Sequence, residues 1–181
     1  MRVGIVGRTV LTVSMWALLG QLLVGCTDDA PARDESGQVI EAGALRVFDL
    51  QVGDCFNGHE SDGGDEDAAA DDEADDAGDD DVNTVTVVPC SELHEFEVYH
   101  LFQLADGEYP GPDAIEVSWT QGCLAEFENF IGISFDQSLL QISAIYPNED
   151  TWDRAGDREV VCSVTALDGS PRQGSAQSSR L

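Results

Sequence analysis

The side chains best equipped for chemistry in this sequence are five cysteines, Cys26, Cys55, Cys90, Cys123 and Cys162, and three histidines, His59, His94 and His100. Thiols can ligate metal, run redox chemistry or pair. No two of these stand at Cys-x-x-Cys spacing, so a thioredoxin-type centre lacks its dithiol and a zinc site lacks its close ligand pairs. Setting Cys26 aside leaves an even number, which predicts two disulfides and an oxidising compartment. His94 follows Cys90 by four residues. It is either an acid–base group or a turn residue whose ring bonds to backbone beside a disulfide. A Ser-His-Asp hydrolase needs a nucleophile on a sharp turn, and no Gly-x-Ser-x-Gly is present. Phosphate-cradling glycine loops and a His-Glu-x-x-His motif are absent too. The expectation is a noncatalytic protein with no cofactor and no dedicated metal site. A small hydrolase of the cell wall, acting through His94, is the alternative.

Cys26 is set aside for a reason. Arg2 and Arg8 precede an uncharged, mostly apolar run from Thr9 to Gly25, the layout of a secretory leader. The run ends in Leu23-Val24-Gly25-Cys26, which looks like a bacterial lipobox. Residues 1–25 are therefore expected to be a signal peptide. Cys26 is expected to carry lipid (palmitate among its acyl chains) that holds the protein on the outer face of the cell membrane. An uncleaved anchor is the alternative, and it leaves the bulk of the chain on the same side. Residues 26–44, rich in Asp, Ala, Gly and Ser, are expected to form a flexible tether.

Charge narrows the partners. The chain has 181 residues with 36 acids against 8 arginines and a formal charge of −28. Like-charge repulsion excludes nucleic acid and opposes binding to anionic lipid headgroups. A 42% hydrophobic content still supplies a modest core. Between Glu60 and Asp81, 13 of 22 residues are acidic. Nothing apolar there offsets chain entropy, so residues 60–83 are expected to be a disordered insert. Clustered carboxylates suit calcium, which offers a second functional reading, a cation-binding surface lipoprotein. No window has the spacing of an EF-hand loop, so any Ca2+ at residues 60–81 should be weak, multisite and salt-sensitive.

The elements that must position these groups are short. Leu45–Val52, Thr84–Val88, Glu95–Leu104, Leu139–Tyr146 and Arg158–Leu167 read as strands, and Asp113–Ile131 as the one main helix, ended by Gly132. In the third strand, Phe96, Val98, His100, Phe102 and Leu104 alternate, which puts His100 in the core. His59, at the border of the acidic run, should be exposed. The expected fold is α+β: a small disulfide-stapled antiparallel or mixed sheet with one main helix, in the order β-β-β-α-β-β. Cys123 lies on the helix's buried stripe and Cys162 shares a strand face with Val160 and Val164, which favours Cys123–Cys162. Cys55 and Cys90 each follow a strand end, which favours Cys55–Cys90. Each bridge would close a loop worth about 3–4 kcal/mol in the chain-entropy picture. Trp152 with Gly156-Asp157-Arg158 forms either a recognition patch or a structural cap in which Arg158 pairs with an acid. Residues 169–181 are expected to be a disordered tail.

Several of these segments together resemble one family. Val52-Gly53-Asp54-Cys55-Phe56, Val88-Pro89-Cys90 with His94 and Glu97-Val98, and Tyr109-Pro110-Gly111 are similar to the septum formation domain. Cys123, Tyr146-Pro147, Trp152 and Gly156-Asp157-Arg158 leading to Cys162 continue the likeness. It spans residues 45–168 apart from the acidic insert. The sequence departs from the pattern by that insert and by Leu93, where proline is common. The resemblance implies a secreted or membrane-anchored protein of high-GC Gram-positive bacteria, a role near the division septum and an envelope or division partner. It implies no chemistry. His94, Trp152, Asp157 and Arg158 are the candidate binding residues.

Overall fold

The computed structural model describes residues 30–58 and 84–181. The expected leader, the expected lipid site at Cys26 and the acidic run lie outside the described residues. What is described is an α+β domain built on a six-stranded antiparallel sheet.

A small hairpin comes first, β1 (Ala32–Arg33) and β2 (Val39–Glu41). The sheet proper contains β3 (Gly43–Arg46), β4 (Cys55–Asn57), β5 (Thr84–Val88), β6 (Phe96–Gln103), β7 (Leu140–Ile145) and β8 (Glu159–Ala166). The spatial order is β3-β5-β4-β6-β8-β7, so β4 lies between two strands that follow it in sequence. Helix α1 (Pro112–Ile131) lies on one face, and the short α2 (Glu149–Arg154) links β7 to β8.

Each element has a local cause. In β5 the run Thr-Val-Thr-Val-Val is β-branched throughout, which suits a pleated strand. Pro112 opens α1 with its ring φ already helical, and Gly132 closes it at φ +89, donating its N–H to the Glu128 carbonyl. Ile115, Cys123, Phe127, Phe130 and Ile131 form the buried stripe of α1. Of these, Cys123, Phe127, Phe130 and Ile131 pack on Tyr99, Leu140, Val160, Cys162 and Val164. Burying a side chain such as Phe127 contributes roughly 2–3 kcal/mol. A second cluster fills the opposite face, with Phe56, Val85, Val87, Val98 and Val161 under Val47 and Leu50. Both expected disulfides form, Cys55–Cys90 and Cys123–Cys162.

The fold departs from the sequence reading in five places. The first predicted strand ends at Arg46, because Val47–Asp49 turn into a 3-10 segment that drops Val47 and Leu50 onto the second cluster. Cys55 begins a strand of its own instead of following one. Residues 31–41, read as flexible tether, are held down by Arg33, whose guanidinium makes two bonds of 2.6 and 2.8 Å to the buried Asp54 carboxylate. That paired carboxylate is also what raises the Arg33 pKa.

In β6 the alternating stripe is split. A bulge between Val98 and His100 inserts Tyr99, so Phe96 and Val98 serve the second cluster while Phe102 and Leu104 serve the helix side. His100 is half-buried and stacks on Phe102. The last departure is the tail. Residues 169–181 are not loose: Ala176 is fully buried, and Arg172 pairs with His94 through two backbone bonds of 2.8 and 2.9 Å. Composition could not reveal this, because the tail is anchored by single residues and not by an apolar period.

Candidate functional site

The predicted site residues fall at the two ends of β6 and do not meet. Glu97 sits near one end of the strand and Gln103 at the other. At a rise of about 3.3 Å per residue that separates the two clusters by about 20 Å.

At the first end, Glu97 shares its register with Cys55 on β4 and Val164 on β8. Its carboxylate is fully buried. One oxygen accepts from Arg172 Nη1 at 3.0 Å and from the Ala176 backbone N–H at 2.5 Å. The other accepts from Ser175 Oγ at 2.5 Å. Arg172 Nη2 donates to the Gly174 carbonyl, and Nη1 also faces His94 Nε2 at 3.4 Å. His94 Nδ1 is 2.9 Å from the Glu92 carbonyl. A carbonyl can only accept, so Nδ1 carries the proton and Nε2 turns its lone pair to the guanidinium. Burial pushes the His94 pKa down, aided by the neighbouring Arg172 cation and opposed by the Glu92 carbonyl and Glu97.

Every group in this cluster has an internal partner. Cys55 and Cys90 lie within 4.8 Å of Glu97, but their sulfurs are bound to each other and present no thiolate to a metal. What the arrangement does is fasten residues 172–176 across the ends of β4 and β6. The sequence singled out His94 and missed Arg172. Alternation gave no warning, because Phe96 and Val98 read as the inward face and leave Glu97 pointing outward; only its burial in the fold demands a cation.

At the other end, Trp152 is 3% exposed, so it is not a presented recognition residue. Its indole N–H donates to the Gly107 carbonyl at 2.9 Å, and the Arg158 guanidinium lies 3.6 Å over its ring. Arg158 Nη1 donates to the Trp152 and Asp157 carbonyls, and its Nε stands 3.6 Å from the exposed Asp106 carboxylate. Asp157 accepts from the Glu159 backbone N–H. These residues form a structural cap that ties α2 to the β6–α1 loop, with Tyr109 meeting Trp152 edge-on. Asn148 and Thr151 make a reciprocal capping box that starts α2, a signal legible in Asn-x-x-Thr spacing. Beside the cap a cleft of about 290 Å³ is lined by Leu104, Asp106, Glu108, Ile115 and Trp152.

A larger cavity, about 410 Å³, lies elsewhere. It opens at the start of β7 and the end of β8 and is lined by Leu139, Leu140, Ala166, Leu167, Asp168 and Leu181 among others. None of these residues stood out in the sequence, since isolated leucines carry no motif.

The tail's role in the domain agrees with the comparison to known families. A family model described as septum formation matches residues 73–180, more than half of the 181-residue chain. The chain belongs to the septum formation family. The matched segment runs past Asp168 and takes in Arg172, Ser175 and Ala176, so the fastened tail is part of the family domain. Two curated relatives are similar as well, uncharacterized membrane proteins of Mycobacterium tuberculosis from the CDC 1551 and H37Rv strains. Each is 28% identical over 91 residues, which is 45% of this chain and 20% of the relative. The chain thus matches only about a fifth of those relatives' length. No solved structure matches it. Among the described residues, no helix is long and apolar enough to cross a membrane.

Proposed function

We propose that this septum formation domain is a noncatalytic interaction module, held on the outer face of the cell membrane by lipid on Cys26, that engages an envelope or division protein. The observation that carries the reading is the cysteine pairing. Cys55 bonds Cys90 and Cys123 bonds Cys162, which accounts for four of the five cysteines. Disulfides between separate elements suit an oxidising compartment. The cysteine left over is the one that closes the leader-like run. Two membrane-protein relatives accord with that placement. An interaction role fits the geometry better than catalysis, because His94 is buried with both ring nitrogens engaged.

The test is metabolic labelling with a clickable fatty acid in the native host, comparing wild type with Cys26→Ser. It is combined with site-specific photocrosslinking through the division cycle. The expected result is label on the wild type only, a surface-accessible domain, and crosslinks to a discrete partner enriched at the septum. Equal label on both proteins would sink the lipid anchor. Crosslinks that are diffuse at every stage would sink the interaction role.

A further inference from the structure

Strand β7 ends the sheet. Among the described residues it pairs only with β8, and the side-chain bond that reaches its backbone, from Ser163 Oγ to the Ser143 carbonyl at 3.4 Å, also comes from β8. An edge strand offers a row of unpaired N–H and C=O groups, and proteins normally blunt such edges with charge, proline or a bulge. The stretch Leu139–Tyr146 has none of these: it holds no charged residue and no proline, and its pairing with β8 runs without a register shift. In a chain of formal charge −28, a bare neutral edge is conspicuous. The opposite edge, β3, is short and carries Arg46.

The surroundings of β7 are apolar at the centre and acidic at the ends. Leu139 is 66% exposed and Leu167 61% exposed, and both line the cavity of about 410 Å³ at the head of the strand. Asp136 lies just before the strip, Glu149 just after it, and Asp168 on the cavity wall, all exposed. A second copy of this chain would bring two strongly acidic molecules together, which charge opposes. A strand with cationic ends is attracted by the same field.

We propose that the free edge of β7, with its leucine-lined cavity, docks an extended partner segment that has β-branched or apolar residues at its centre and lysine or arginine at its ends. The segment adds to the sheet as a seventh strand. Backbone bonds supply affinity, the cavity selects an apolar side chain, and the acidic ends favour the cations. This surface rests on the reading of the chain as an interaction module and gives that reading a location.

The probe is a fluorescent peptide, Lys-Thr-Val-Thr-Val-Thr-Lys, titrated against the full chain in detergent, with binding mapped by hydrogen exchange. The control peptide replaces both valines by proline, which keeps the charge and removes backbone donors. The valine peptide should bind about tenfold or more tightly than the control and protect residues 139–146. Leu139→Lys and Leu167→Lys should each weaken binding about tenfold. Leu124→Lys, an equal charge change on the exposed side of α1, should leave it unchanged. Equal binding of the two peptides, protection elsewhere, no binding at millimolar peptide, or self-association through β7 would each overturn the proposal. If β7 fails while septal crosslinks persist, the interaction module stands and only its surface is wrong. If the crosslinks are diffuse, the module itself falls.

Discussion

Glu97 and Arg172 are 75 positions apart in the chain, yet the guanidinium lies 3.0 Å from the carboxylate, with the two side chains 0% and 11% exposed. This one contact turns a polar, motif-free tail into part of the fold. Arg172 also sets its backbone against His94, and Ser175 and Ala176 add donors to the same carboxylate. Three donors, from Arg172, Ser175 and Ala176, thus hold one buried acid, and Arg172 alone among them carries the compensating charge.

Removing the cation should therefore be costly. Arg172→Ala strands a buried carboxylate, and the expected loss is on the order of 3 kcal/mol in chemical denaturation under oxidising conditions. Adding Glu97→Gln removes the charge and keeps an acceptor for Ser175. The double variant should then be more stable than Arg172→Ala alone. If the two losses simply add, charge is not what the pair contributes.

The pH response follows from His94. Its folded pKa lies below the ordinary 6.5, chiefly through burial. Between the folded and unfolded values the unfolded chain binds more protons, so stability must fall as pH drops. It is complete above about 6.5 and is lost on acidification toward the folded value. His94→Gln, with no proton to gain, should flatten the melting temperature between pH 7 and 5 relative to wild type. Identical slopes in the two proteins would show that His94 does not titrate against the fold.

Trp152 should behave as a core residue. Trp152→Ala removes a buried indole, its bond to Gly107 and the ring beneath Arg158, at an expected cost of about 3–5 kcal/mol. Trp152→Phe keeps a ring under the guanidinium and should recover most of that. A variant that melts like wild type but loses a partner would assign Trp152 to recognition after all.

Gly122 tests the seating of α1 on β6. A Cβ there would come within 2.4 Å of the Phe102 ring. Alanine normally strengthens a helix by about 1 kcal/mol over glycine. Here overpacking should win, and Gly122→Ala is expected to destabilise by about 1–3 kcal/mol. Pairing it with Phe102→Leu should restore stability. Loss of the same size in both backgrounds would mean the contact is not the cause.

Much of the frame was legible because it repeats. The 3.6-residue recurrence of Ile115, Cys123 and Phe127 located α1 to within a residue, and the β-branched run of β5 located that strand. Strand and helix faces favoured Cys123–Cys162, whereas Cys55–Cys90 forms although Cys55 opens a strand instead of following one. The candidate site was far less legible. His94 was noticed, but Trp152 was offered to a partner when its indole is sealed inside, and the bulge at Tyr99 reversed the face of half a strand. A bulge changes one residue's backbone and leaves no mark on residue type.

The sequence by itself determined the fold class, the main helix and the formal charge of −28, and it favoured the two disulfide pairings that form. These depend on periodicity, parity and charge, which are properties of neighbouring residues. Tertiary structure alone decided that Arg172 meets Glu97, that Arg33 meets Asp54, and that β7 rather than another strand is left open at the edge. Those outcomes hinge on single long-range contacts and on the order of strands in space. A buried acid announces only that some cation must come, and chain closure chooses which.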